Sequence, residues 1–326
     1  MVATLKQVAK IAGVSHQTVW RAIHGAPGIS EETRAAVLDV ATRLQYRRNR
    51  IAGSLRTCQS HTIGLVLPEV RRVHAGELAL GVEEAAVAHG YSVLFANTGG
   101  DPQREQAAVQ LLMERRVDGM VLWPNGFGDQ SYLHGLLPAD FPIVAVNRRS
   151  AGYECHSILS RDEDASLAAH YLLRQGHQHI AALFGPAQIA PFRGRQRAFV
   201  KVLETNRLPI SPEWVKVGDN TPDSAFQATV ELFSGSRRPK ALFAAGSQLT
   251  EGALRGFKQV GLHYGRDVTL IGYDLRYGAL LDPPLPMLLQ PAREMGRLAF
   301  DVILRQFREG MSKPRSRRLP VEISDA

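Results

Sequence analysis

Residues 5–23 read Leu5-Lys6-Gln7-Val8-Ala9-Lys10-Ile11-Ala12-Gly13-Val14-Ser15-His16-Gln17-Thr18-Val19-Trp20-Arg21-Ala22-Ile23. Val8, Ala9 and Ala12 recur at i, i+1 and i+4, and Val19 and Ile23 at i and i+4. The spacing predicts two short amphipathic helices, each with one face to bury. Gly13 suits the left-handed residue that ends the first helix. Ser15 suits the N-cap of the second. Small Ala9 and Ala12 permit a close crossing. His16, Gln17 and Thr18 then fall in the exposed first turn of the second helix, with Arg21 one turn after Gln17. That is how a helix-turn-helix presents a helix end to the major groove of DNA. Glutamine matches adenine edges, and arginine matches guanine edges or phosphate. A plain surface hairpin of helices has the same short pattern, so the rest of the chain has to separate the two.

Two features favour DNA. Ser30-Glu31-Glu32-Thr33-Arg34 predicts the start of a third helix, with a serine N-cap and acids in the first turn. Val37, Val40, Ala41 and Leu44 give that helix a core face, and Arg43, Tyr46, Arg47, Arg48 and Arg50 form a basic exit. Charge is also concentrated. The chain of 326 residues carries a formal net charge of +8. Residues 1–60 hold nine Lys/Arg against three Asp/Glu, so six of those charges sit with the helix-turn-helix and two are spread over all the rest. Binding to phosphates through counterion release requires that concentration.

Residues 4–56 closely resemble the DNA-binding headpiece of the lactose-repressor (LacI/GalR) family. The matching pieces are Thr4-Leu5-Lys6-Gln7-Val8-Ala9, Ala12-Gly13-Val14-Ser15, Thr18-Val19, Arg21, Ser30-Glu31-Glu32-Thr33-Arg34 and Tyr46. The resemblance implies that Thr4, Ser15, His16, Gln17, Thr18 and Arg21 meet bases and phosphates. Trp20 departs from the usual small residue, and packing between helices is the role expected of it. Asn49-Arg50-Ile51-Ala52-Gly53-Ser54-Leu55-Arg56 resembles the family's hinge, which folds on operator DNA and wedges a leucine into the minor groove. Asn49, Ala52 and Leu55 are the matching DNA-contacting positions. A flexible linker with an incidental leucine remains the alternative, since Gly53 disfavours helix by about 1 kcal/mol against alanine. Arg48 replaces the family's proline.

From residue 62 short apolar strands alternate with amphipathic helices. Strands are expected at 63–67, 91–96, 117–123, 143–146, 180–184, 214–217, 241–244 and 268–271. Helices are expected at 77–89, 103–115, 163–175, 194–205, 222–234, 249–260 and 291–308. Such alternation means parallel sheets covered on both faces. Two units of about five strands in series predict two doubly wound subdomains with a cleft between them. Gly176-His177, Gly252-Ala253-Leu254-Arg255, Ile271-Gly272-Tyr273-Asp274, Pro283-Pro284-Leu285, Gln290-Pro291 and Met295-Gly296 resemble the family's effector-binding core, itself related to periplasmic sugar-binding proteins. The fold class expected is therefore α/β, with an N-terminal all-α headpiece before a periplasmic-binding-protein-like core. The boundaries expected are a headpiece at 1–47, a hinge at 48–60, an N-subdomain at 61–157 and 290–314, and a C-subdomain at 158–289 and 315–326.

Ligands of open α/β sheets sit at the carboxyl ends of the strands. The resemblance places Arg148, Arg195 and Asp274 there, although Asp274 is read equally well as a capping carboxylate. Other positions depart from the family. The loop after the first strand reads Val70-Arg71-Arg72-Val73-His74-Ala75, without the usual aromatic that stacks on a sugar ring. Gly246-Ser247 replaces an Asn-Asp pair, and Ser160-Arg161 replaces Asp-Asn. Lost carboxylates and gained Arg71, Arg72, Arg161 and Arg193 favour an acidic effector, because guanidinium forks suit carboxylates and phosphates. The effector-binding residues expected are Arg71, His74, Arg148, Arg161, Arg195, Ser247 and Asp274. Solvated loop arginines are the plain alternative.

Cys58 and Cys155 fit neither a metal spacing nor a disulfide framework. Lys6 and Lys10 interrupt any signal peptide, and no run approaches ~18 apolar residues, so a cytoplasmic protein with no membrane contact is expected. No cofactor, metal or catalytic residue is expected. The rivals are a transported-sugar binding protein, disfavoured by the basic headpiece, and an enzyme, disfavoured because no Gly-rich nucleotide loop follows the first strand. The expectation is a homodimeric repressor of a catabolic operon that binds a near-palindromic operator and answers to a sugar acid or sugar phosphate.

Overall fold

The computed structural model describes residues 3–46, 59–275 and 277–324. The chain divides into two units, Met1–Ser60 and His61–Ala326. Asn49, Ala52 and Leu55, with the rest of 47–58, lie outside the described residues.

The first unit contains α1 (Leu5–Ala12), α2 (His16–Ile23) and α3 (Glu31–Arg43). Thr4 caps α1 in a reciprocal box. Its hydroxyl accepts the Gln7 N–H, and its own N–H donates to Gln7 Oε1 at 2.7 Å. Gly13 takes φ 65°, and its N–H closes on the Ala9 carbonyl. That conformation costs glycine nothing and turns the chain into α2. Ser15 caps α2 by accepting the Thr18 N–H at 3.1 Å, and Ser30 caps α3 through Thr33. Val8, Ala9, Val19, Ala22, Val37, Val40 and Ala41 form a buried core, as their spacing predicts.

The second unit holds two six-stranded sheets. The first is built from β1 (Thr62–Leu67), β2 (Ser92–Asn97), β3 (Gly119–Leu122), β4 (Ile143–Val146), β5 (His156–Ser160) and β11 (Ser316–Leu319), in the order β11-β5-β4-β3-β1-β2. The second is built from β6 (Ile180–Phe184), β7 (Val215–Val217), β8 (Ala241–Ala244), β9 (Thr269–Tyr273), β10 (Met287–Leu289) and β12 (Glu322–Ser324), in the order β12-β10-β9-β8-β6-β7. Pairing is parallel throughout except between β10 and β12. Connecting helices are α4 (Val73–Ala88), α5 (Pro102–Glu114), α6 (Leu133–Leu136), α7 (Ser166–Arg174), α8 (Ala190–Thr205), α9 (Pro222–Phe233), α10 (Ser247–Gln259) and α11 (Ala292–Glu309). Strands such as Ile143–Val146 and Ile180–Phe184 are buried along their whole length, which is why they read as continuous apolar runs.

The expected alternation is present, with corrections at its edges. Each sheet has six strands rather than about five. β5 and β11 were hidden by polar residues, His156 and Ser157 in one and Arg317 and Arg318 in the other. β11 is an exposed edge strand, where charge is tolerated and blunts further pairing. The subdomain boundaries move with them. Residues 158–160 and 316–319 belong to the first sheet, because β11 pairs with β5 in the register Ser316↔Ser157 to Leu319↔Ser160. The last crossing to the second sheet comes after Leu319. α4 begins at Val73 rather than 77, and α8 at Ala190 rather than 194, so His74 and Arg195 stand on helices.

As the resemblance implied, α11 returns to the first subdomain and packs on α4. The crossing is close because both helices carry glycine there. A Cβ on Gly81 would lie 1.9 Å from the Arg293 carbonyl oxygen, and one on Gly296 would lie 2.2 Å from that of Leu78.

Candidate functional site

In the first unit Ser15, His16 and Gln17 are exposed, and Thr18 and Arg21 are half-exposed on the same helix beginning. Thr4 and Ser15 serve as caps as well as presenting polar atoms at the surface. Trp20 is half-buried and stacks on His24, the residue that follows α2, ring centroids 4.4 Å apart. The sequence reading missed Arg34. Its guanidinium donates to the carbonyls of Ala22 and Ala26 at 3.2 and 3.0 Å, closing the end of α2. Arginines near a helix end commonly satisfy its last carbonyls.

In the second unit the carboxyl ends of the strands surround one narrow cavity. It is lined by Arg72, His74, Trp123, Asn147, Arg148, Ile189, Pro191, Phe192, Arg195, Asn220, Gly246, Ser247, Tyr273, Asp274 and Gln290. Its free volume is about 50 Å³, room for a few waters. Five residues expected from sequence meet here: His74, Arg148, Arg195, Ser247 and Asp274. Two do not. Arg71 points to solvent and is held by Glu69 at 3.0 Å. Arg161 is exposed and does not line the cavity. Arg193 likewise stays outside, donating to the Ala187 carbonyl. The guanidinium brought in by the first loop is that of Arg72, one residue further on, because α4 starts at Val73 and Arg72 is its N-cap position.

The two subdomains contribute matching positions. Asn147 follows β4 with φ 63°, and Asp274 follows β9 with φ 47°. Both are non-glycine residues in the left-handed region, which asparagine and aspartate tolerate best. Asp274 accepts the Gln290 backbone N–H at 2.8 Å and the Gln290 amide at 2.5 Å. Its Oδ2 also lies 3.8 Å from His74 Nδ1, across the cleft. Asp274 therefore lines the cavity and ties the end of β9 to the segment ahead of α11, without capping that helix. Arg195 is buried, donates to the Ala245 carbonyl at 2.8 Å and lies over the Tyr273 ring, 3.8 Å from its centroid.

Burial dominates the electrostatics. It holds His74 below the usual imidazole range, against the pull of Asp274. It pushes Arg148 down to about 10, helped by repulsion from Arg72 and Arg195. It pushes Asp162, 3.9 Å from Arg195, up to about 6 despite that arginine. Arg72 is likewise lowered by burial. In the lining three guanidinium groups face one carboxylate, Asp274, while Glu69, Glu105 and Asp162 attract them from outside it. Around them Arg72 Nε, Trp123 Nε1, Arg148 Nε, Asn220 Oδ1, Tyr273 OH and Gln290 Oε1 are buried with no hydrogen-bond partner among the described residues. Buried polar groups are normally satisfied, so such a convergence marks a place built to receive a polar ligand.

Trp123, Phe192 and Tyr273 were not foreseen as cavity residues. Trp123 directly follows β3, so the rule that ligands sit past the carboxyl ends of strands could have found it. It supplies an aromatic wall that the first loop lacks, with the His74 ring edge-on to it at 5.1 Å.

Comparison with known proteins agrees with both units. Residues 4–49 match the model of bacterial regulatory proteins of the lacI family, and residues 169–325 match that of the periplasmic binding protein-like domain. The HTH-type transcriptional repressor PurR of Photorhabdus laumondii is 30% identical over 93% of this chain and 89% of its own length. The lac repressor dimer bound to operator and the anti-inducer ONPF superposes with a TM-score of 0.86 and 28% identity, covering 100% of this chain and 98% of that one. The transcriptional regulator CelR in complex with cellobiose gives 0.72 and 25%, covering 99% and 98%. With an N-terminal helix-turn-helix unit and a ligand-binding core along the full length of such relatives, the chain belongs to the LacI family of DNA-binding transcriptional repressors.

Proposed function

We propose that this repressor acts as a homodimer in the cytoplasm, controls a catabolic operon, and answers to a small acidic effector, a sugar acid or sugar phosphate, in the cleft. The observation that carries the effector class is the lining of one cavity, in which three guanidinium groups, Arg72, Arg148 and Arg195, stand with a single carboxylate, Asp274, among the described lining residues. An anion would pair with guanidinium groups that otherwise repel one another in a poorly solvated site. His16, Gln17, Thr18 and Arg21 would read the operator, two headpieces meeting two half-sites. Exposed Leu80 and Val87 on α4, Leu94 and Phe95 on edge strand β2, and Leu111 on α5 support a dimer through the first subdomain.

An effector can change operator affinity only by preferring one arrangement of the subdomains. The contacts that span the cleft are where that preference would arise, His74 with Asp274 foremost.

A neutral sugar is the second reading, favoured by Trp123, whose ring offers a stacking wall. Calorimetric titration with gluconate-like acids, sugar phosphates and neutral sugars separates the two. Binding confined to neutral sugars overturns the acidic effector. Operator binding is tested on the DNA upstream of the protein's own gene. Binding without sequence preference there would overturn the operator reading proposed for His16, Gln17, Thr18 and Arg21.

A further inference from the structure

A second cavity lies away from the cleft, on the first subdomain. Its volume is about 550 Å³, within the range of small-molecule sites. The last turns of α11, the connector 310–315 and the beginnings of β5 and β11 enclose it. Strand register puts it at the amino-terminal end of the sheet, where His156 pairs with Val144 and Ser157 with Ser316. The effector cleft is at the opposite end. β1 likewise begins, at Thr62, at this end of the sheet.

The wall is held in place by the protein itself. His156 is buried; its Nδ1 accepts the Arg315 N–H at 3.3 Å and its Nε2 lies 3.1 Å from the Ser312 hydroxyl. Ser157 and Ser316 bridge through their hydroxyls at 2.7 Å. Ile158 and Leu298 give an apolar floor. Beside them stands Gln306, which is 6% exposed and has both amide atoms without a partner among the described residues. A primary amide sets a donor beside an acceptor, the pair that reads an adenine edge. Arg305, Arg315 and Arg317 stand on the rim; among the described residues none of them forms an ion pair within 4 Å, although Glu294 feels the charge of Arg317. Asp301 is committed to Arg297 at 2.7 Å, which leaves Glu309 as the opposing charge.

We propose that this cavity is a second ligand site, for a nucleoside monophosphate or a molecule of the same build. The planar body lies on Ile158 and Leu298, the donor–acceptor edge meets Gln306, and the phosphate meets the arginine forks. The site is independent of the acidic-effector reading of the cleft.

Calorimetry on the full chain with AMP, adenosine and inorganic phosphate tests it. AMP binds saturably, and adenosine and phosphate each bind at least about tenfold more weakly. Gln306→Leu and Arg315→Ala each weaken AMP by about tenfold or more, whereas Arg195→Ala in the cleft leaves it within about twofold. Arg315 is exposed, so its variant keeps the fold. Absence of AMP binding overturns the proposal. So do phosphate binding as tight as AMP, indifference to both cavity substitutions, and loss of binding in the Arg195 variant.

Discussion

The helix-turn-helix and the cleft prepare for their ligands with different materials. In the first, the polar row His16, Gln17 and Thr18 comes from one helix turn, set by Gly13 and Ser15 a few residues away, and it stands in water. In the second, Arg72, Arg148, Arg195 and Asp274 come from separate elements of two subdomains, and they are largely withdrawn from water. Exposed charges act through a screened field, and buried ones act through desolvation and fixed geometry. Salt, substitution and pH therefore separate the two sites.

Salt gives the largest separation. Raising salt from about 50 to about 200 mM lowers operator affinity by roughly a thousandfold, if each site is held by the usual six or more phosphate contacts. Effector affinity in the cleft changes by less than about tenfold over the same range, since buried pairs are screened far less. Fluorescence anisotropy with operator DNA and calorimetry with the effector measure the two. Equal slopes would break the contrast.

Arg195→Ala comes next. Removing one partner of a buried charged contact costs roughly 2–5 kcal/mol, so effector affinity falls by about a hundredfold. Operator affinity without effector stays within about twofold. Arg195→Lys recovers little, because a lysine cannot reproduce the planar contact with Tyr273. A matching loss of operator affinity in Arg195→Ala would show that the residue holds the fold rather than the ligand.

The same contrast explains what could be read from the sequence. Helix caps, the Gly13 turn and apolar spacing are local, so the first unit was legible residue by residue. Alternation of apolar strands and helices also gave the doubly wound core. Polar or short strands were lost: β11 carries arginines that its edge position tolerates, and the buried serines of β5 are explained only by its neighbours, as where Ser157 bonds Ser316. In the cleft, Arg148, Arg195 and Asp274 were legible because they follow or face strand ends within recognisable motifs. Arg71 was preferred to Arg72 because composition alone does not say where α4 begins. The side chains of neighbours there diverge, one to Glu69 and one into the cavity. Trp123 was missed because it continues an apolar run and reads as core.

Asp162 sharpens the role of desolvation. Its carboxyl is raised from 3.8 to about 6, burial outweighing the attraction of Arg195. A folded-state pKa above the unfolded one means that the native chain binds more protons between those values, so stability falls as pH rises from about 4 to about 6. Above pH 6 the ionised carboxylate costs the fold on the order of 3 kcal/mol. Asp162→Asn should therefore raise the melting temperature at about pH 7.5 and have little effect near pH 4. Thermal melts of both proteins across this range check it. A destabilised Asn variant at neutral pH would mean that the ion pair with Arg195 outweighs burial.

Ser15→Ala has the smallest expected effect, and it tests the local side of the comparison. Ser15 accepts the Thr18 N–H and so fixes the helix turn that carries His16, Gln17 and Thr18. Losing a serine N-cap costs about 1 kcal/mol. Passed on to DNA binding, that is about a fivefold loss of operator affinity, with effector affinity unchanged. Ser15→Asp distinguishes capping from contact. Aspartate caps as well as serine and favours the positive end of the helix, so the unit keeps its stability. The added negative charge would face phosphate, however, and operator affinity would fall further than in Ser15→Ala. If Ser15→Asp instead bound operator like the wild type, Ser15 would act as a cap alone, and the base-reading row would begin at His16.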